Sequence, residues 1–140
     1  MTEIIIKDGV EHMDFEAVAN MLSRSYWVPG IKIDEVLKGA QNSALVAGAF
    51  AGGIQVGYAR AISDKTRFAY ISDVFVHEEY RGMGVARRML AHMLAHPSLQ
   101  DVYQWLLRTT DAHELYQKLG FEVLAQPDKI MEIRRPRPLR

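Results

Sequence analysis

At 140 residues the chain fits one domain of ordinary size, and 49% hydrophobic residues supply enough apolar material for a core, which excludes a disordered chain. Seventeen Lys and Arg balance seventeen Asp and Glu, which argues against a dedicated nucleic-acid binder, since such a protein carries a strong basic excess. The absence of cysteine removes a disulfide framework, a thiolate nucleophile and a thiolate zinc site, and is compatible with a reducing cytoplasm.

In chain order, Glu3–Lys7 reads as a short β-branched strand. The segment "MTEIIIKDGV" is too short in apolar residues for a signal peptide. Val10–Ser25 places Val10, Met13, Ala17, Met21 and Leu22 near helical spacing. Pro29 and Gly30 end that pattern and leave a loop at 26–32. Asp34 is expected to cap a second helix running to Asn42, with Val36, Leu37 and Ala40 on one face. Ala44–Phe50 and Ile54–Ile62 form a hairpin across Ala51, Gly52 and Gly53. The apolar run from Ala44 to Ile54 is interrupted by glycines and falls short of the roughly 18 residues of a membrane span. A soluble, cytoplasmic protein is therefore expected.

Phe68–Val76 is a long strand, apolar on much of both faces. Gly82–His96 follows as a helix ended by Pro97, then Val102–Leu107 as a strand. Asp111–Leu119 is a helix that Gly120 stops. Phe121–Leu124 and Lys129–Ile133 are candidates for closing strands. The tail 134–140, "RRPRPLR", is basic, proline-rich and expected to be mobile. Strand 68–76, helix 82–96 and strand 102–107 make a βαβ crossover, parallel and right-handed. The expected architecture is one α/β domain over 1–133, with a mixed, mostly antiparallel sheet and helices on its faces.

The stretch "VFVHEEYRGMGVARRML", residues 74–90, sets Gly82 and Gly84 at the start of a helix that glycine weakens. A helix start offers free N–H groups and a partial positive charge, and glycines let a ligand reach that backbone. Arg81, Arg87 and Arg88 add charge beside it, so a pyrophosphate or similar anion is the natural ligand. There is no Walker loop. A Rossmann fingerprint needs a small residue where Arg87 stands, and Asp101 alone is weak evidence for a ribose contact. His92 and His96 have helical metal spacing, but no HExxH pattern accompanies them, so no metal is expected.

Arg81, Gly84 and Ala86, directly after "SDVFVHEEY", match an Arg-x-x-Gly-x-Ala pattern. Downstream, "DAHELYQKLGFE" at 111–122 supplies a helix with a tyrosine followed by Gly-Phe. In this order the two motifs resemble those of the GNAT N-acetyltransferases. The element order agrees from residue 3 to about 133. With "SYW", "DVFVHEEYRG" and "TDAHELY", the chain is similar to a group of small, single-domain members.

The resemblance implies a GNAT-like fold whose strands 68–76 and 102–107 splay apart to admit acetyl-CoA as cosubstrate. It implies that Arg81, Gly82, Met83, Gly84, Val85, Ala86 and Arg87 hold the pyrophosphate. A tight strand-to-helix turn is the plainer reading of the same glycines. Val74, Phe75 and Val76 would line the pantetheine arm through their backbone, with the Val76 N–H on the thioester carbonyl. Tyr116 would be the general acid for the departing thiolate, against the alternative of simple packing on Leu115 and Phe121. Asp73, a carboxylate in an apolar strand, is either a base or amine ligand, or a structural acid. Tyr26 and Trp27 fall where the family borders its acceptor, although plain loop packing fits them equally. Thr110 is a further acceptor candidate, where related sequences often carry arginine. Asp111 reads as a helix N-cap, and Glu78 and Glu79 as solvated turn residues.

These readings converge on transfer of an acetyl group to a primary amine of a small molecule or peptide, in a ternary complex. The partner expected is that amine, with neither nucleic acid nor membrane, and the resemblance adds a homodimer, since dimers are common in that family. The rivals are O-acyl transfer on the same scaffold, a non-catalytic acetyl-CoA sensor, and a nucleotide-binding module.

Overall fold

The computed structural model describes residues 2–140. Strand β1 (Ile4–Asp8) leads through a 3₁₀ turn at Val10–His12 into helix α1 (Phe15–Ser23). The helix expected from Val10 therefore begins at Phe15, where the Asp14 carboxylate accepts from the Ala17 N–H as an N-cap. Helix α2 (Ile33–Gln41) starts one residue ahead of Asp34, which lies in the first turn instead of capping it. The hairpin β2 (Leu45–Ala51) and β3 (Ile54–Ser63) and the strand β4 (Phe68–Val76) follow the expected boundaries closely. Helix α3 (Val85–Leu94), strand β5 (Gln104–Leu107) and helix α4 (His113–Gln117) complete the regular elements.

The sheet has the order β1-β2-β3-β4-β5, antiparallel throughout except for the parallel pair β4–β5. Every residue of β2 is buried, because helices cover both faces of the sheet. Val46 packs with Val18, Leu22, Val36 and Ala40 of α1 and α2. Its neighbours Ala47 and Ala49 face the other way, toward the side that α3 covers with Val85, Met89, Leu90 and Met93. This period-two division lets two hydrophobic cores form on one sheet. Small residues of β2 and β3 on the α3 side, such as Ala59 and Ala61, leave room for the methionines.

Neither Phe121–Leu124 nor Lys129–Ile133 is a strand. Their apolar residues lack a common buried face: Val123 is 74% exposed and Met131 93%. Without such a face nothing fixes a pairing register. Pro127 opens a 3₁₀ turn between them, and β5 offers only four residues to pair with. Phe68, expected within a strand buried on both sides, is 38% exposed.

Candidate acetyl-transfer site

The site begins with a mismatch in the sheet. β4 pairs with β5 only from Phe68 to Ile71, so residues 72–76 have no β5 partner. On its other side, β4 sets two residues, Asp73 and Val74, against the single Ala59 of β3: Tyr58 opposes Phe75, but Arg60 opposes Ser72. This is a β-bulge, and Asp73 within it has φ 57°, a left-handed value that is uncommon for a side-chain-bearing residue. β4 therefore diverges from β5 where the unpaired half begins.

The bulge directs Asp73 to two partners. Its Oδ2 accepts from Arg60 Nε at 2.7 Å, and its Oδ1 accepts from Trp27 Nε1 at 3.0 Å. The carboxylate is 11% exposed, and these bonds supply the pairing that a buried charge requires. Through them Asp73 fixes the loop between α1 and α2. Trp27 packs 6.2 Å from Phe75, and Tyr26 stands edge-on to Trp27 at 5.0 Å.

The far end of β4 meets the glycine segment. The His77 N–H donates to Val56 O at 2.7 Å, so by strand alternation the Val76 N–H points to the open edge. Val76 O accepts from Arg81 Nε at 2.9 Å, and the Arg81 guanidinium lies 5.0 Å from the centre of the Phe75 ring. Glu78, expected to be merely solvated, pairs with Arg24 through both oxygens, which holds its carboxyl down at about 2.

Gly82 and Gly84 lie outside the helix that they were expected to weaken. Their φ values are 78° and 77°, and a Cβ on either would meet nothing within 4 Å. Backbone conformation, rather than crowding, demands glycine here, and it leaves open space above the chain. The first turn of α3 has no side-chain cap and no acidic residue. The first intrahelical bond runs from Arg88 N to Gly84 O, so the N–H groups of Val85, Ala86 and Arg87 lie free of the helix ladder. Arg87 and Arg88 are exposed beside them.

Tyr116 is placed by the helix ending of α4. Phe121 N donates to Tyr116 O at 3.1 Å and Gly120 N to Gln117 O at 3.0 Å, with Gly120 at φ 100°. That is a Schellman motif, and its accompanying apolar contact is Tyr116 against Phe121 at 5.9 Å. Burial, with Tyr26 and Asp111 nearby, pushes the phenol up to about 12, so Tyr116 stays protonated through the neutral range. Asp111 does not cap α4; Thr109 Oγ1 accepts from the Ala112 N–H at 3.0 Å and opens the turn.

A cavity of about 410 Å³ brings Tyr26, Trp27, Asp73, Val74, Thr110 and Tyr116 to one place. Tyr116 also lines a larger hollow, about 690 Å³, between β5 and residues 121–124. Arg81, Gly82, Met83, Gly84, Val85, Ala86 and Arg87 line neither hollow and form an open surface at the start of α3. Reading the sequence missed Arg60, Arg134 and Arg137. Arg60 carries no local signal, because its partner Asp73 lies on the next strand. His92 and His96 turn toward Asp8 at 2.6 and 3.6 Å and tie α3 to β1.

A strand that splays at a bulge, an uncapped glycine-led helix start and a buried tyrosine thus meet along the open half of one sheet. Residues 42–123 match the model of the acetyltransferase (GNAT) domain. An acetyltransferase of the GNAT family from Xanthomonas campestris pv. campestris superposes with a TM-score of 0.89 at 34% identity, covering 97% of this chain and 96% of the other. Human and mouse cysteine-rich protein 2-binding protein are each 31% identical over 74% of the chain, which spans 13% of their length. An acetyltransferase from Clostridium acetobutylicum, solved with acetyl-CoA, shares the fold at a TM-score of 0.71 and 15% identity, with 94% and 96% covered. The chain belongs to the GNAT acetyltransferase family, and so to the acyltransferases.

Proposed function

We propose that the chain transfers an acetyl group from acetyl-CoA to a primary amine, with both substrates bound at once. The observation that carries this is Tyr116, buried in the wall of the cavity beside the unpaired half of β4, where burial favours its protonated form. Support for the cosubstrate comes from the uncapped amides of residues 85–87 and the open space over Gly82 and Gly84, which suit a diphosphate.

Bound acetyl-CoA supplies the thioester that the amine attacks. The N–H groups of Val85, Ala86 and Arg87 donate to the diphosphate oxygens, with Arg87 and Met83 at its rim. Val74 and Val76 present backbone N–H groups along the open edge, Phe75 between them pairs with Tyr58 of β3, and the Val76 N–H stabilises the oxygen that gains charge during attack. The neutral amine attacks, the new C–N bond forms as the C–S bond breaks, Tyr116 gives its proton to the leaving sulfur and regains one from solvent, and the amine's proton leaves to solvent. Arg81 holds the end of β4 at Val76 O. Asp73 serves as a positioning residue: both its oxygens already accept hydrogen bonds, so it holds Trp27 in the cavity wall and is itself held by Arg60. Tyr26, Trp27 and Thr110 border the acceptor.

Tyr116→Phe tests the acid. The expected result is a fall in kcat on the order of 100-fold with an unchanged KM for acetyl-CoA. Full kcat at every pH would remove Tyr116 from the role.

A further inference from the structure

The tail expected to be mobile lies across the mouth of the acceptor cavity. Arg137 Nη1 donates to Trp27 O at 2.9 Å. Three residues on, Arg140 pairs with Glu35 of α2 through both oxygens, at 2.6 and 3.1 Å, and its side chain is 11% exposed. Pro136 and Pro138 flank Arg137, and fixed φ angles favour an extended run there. Two arginines thus anchor a strap that needs no strand pairing.

This strap changes the charge of the cavity. Arg108, Arg134 and Arg137 line it together with Asp73 and Asp111. Asp73 is taken by Arg60, and Arg108 and Arg134 share the single carboxylate of Glu132. Among the described residues Arg137 has no carboxylate partner: one N–H is spent on a carbonyl and the remaining donors are free. Asp111 lines the same cavity as Tyr116. The cavity is therefore bipolar, negative toward the tyrosine and positive at the tail.

Resting on the acetyl-transfer reading, we infer that the acceptor is an amine that also carries an anionic group, with Arg137 binding the anion. A carboxylate or a phosphate suits a guanidinium fork, while the ammonium is drawn toward Asp111 and Tyr116. The tail thereby acts as a specificity element supplied from the C-terminal end of the chain.

The test uses matched amines with the full chain: phenylalanine and β-alanine, each against its carboxamide, and aminoethyl phosphate against ethanolamine. Wild type is expected to favour one or both anionic classes by about tenfold or more in kcat/KM. A preference for carboxylates alone or for the phosphate alone identifies the source of the anion. Arg137→Ala should bring that ratio close to one, mainly through KM, and Arg137→Lys should restore part of it. Equal use of charged and neutral amines, an unchanged ratio in Arg137→Ala, or no transfer to any anionic amine overturns the inference. Acetyl-CoA binding is measured alongside by calorimetry. Its absence overturns the acetyl-transfer reading instead, and the shift of the Arg137 Nε–H resonance on adding the anionic amines then decides the Arg137 role: movement supports it, and none refutes it.

Discussion

At the scale of single residues, Asp73 is the clearest example of a charge that the fold uses. It occupies a left-handed position in a bulge, and its carboxylate joins β3, β4 and the loop after α1. Removing Arg60 would leave that carboxylate with one neutral donor in a mostly enclosed place. Arg60→Ala is expected to destabilise the protein by about 2 kcal/mol, less than the loss of a fully buried partner because both groups retain some contact with water. Denaturant unfolding checks this; a midpoint equal to wild type would mean that Asp73 finds water instead. The sequence announced Asp73 as an anomaly, since a carboxylate interrupts an apolar strand. Its partners were not legible, because Arg60 is 13 residues away and Trp27 is 46 residues away along the chain. Tyr116 was legible as a candidate from its motif, but its environment came only with the packed structure.

At the scale of elements, two backbone devices place the chemistry. One is the left-handed pair Gly82 and Gly84, which turns the chain from β4 into α3. The other is the Schellman ending of α4, in which Gly120 brings Phe121 against Tyr116. Gly120→Ala introduces a Cβ at φ 100°, a strained conformation although open space surrounds it. The expected cost is about 1 to 2 kcal/mol, accompanied by a lower kcat because Tyr116 loses its fixed partner. Thermal unfolding and steady-state kinetics read the two effects; an unchanged Tm and kcat would show that the motif does not position the tyrosine. Long strands and the hairpin were legible because period-two patterns and turn glycines are local signals. The closing strands were misread because the apolar residues from Val123 to Ile133 have no buried face to occupy. The start of α3 was placed three residues early, since spacing alone does not distinguish a glycine-led approach from a first helical turn.

At the scale of the whole molecule, the sheet divides the work. Its closed half, β1 to β3, carries two cores and is tied to α3 by His92 and Asp8. Its open half, from Ser72 onward, leaves backbone unpaired beside a cavity. The order of elements conveyed this plan, and the resemblance conveyed the splay. The path of the tail was not legible, because a basic proline-rich segment reads as solvated until Trp27 O and Glu35 are seen to receive it. Acetyl transfer by this chain requires that the glycine-led start of α3 bind the diphosphate of acetyl-CoA. Calorimetric titration of acetyl-CoA, CoA and ATP into wild type and into Gly84→Glu tests this most directly, with thermal unfolding to verify that the variant is folded. Binding of both CoA species, weak or no binding of ATP, and loss of CoA binding in the folded variant are expected. CoA binding that survives in Gly84→Glu, or that is absent from wild type, would contradict it.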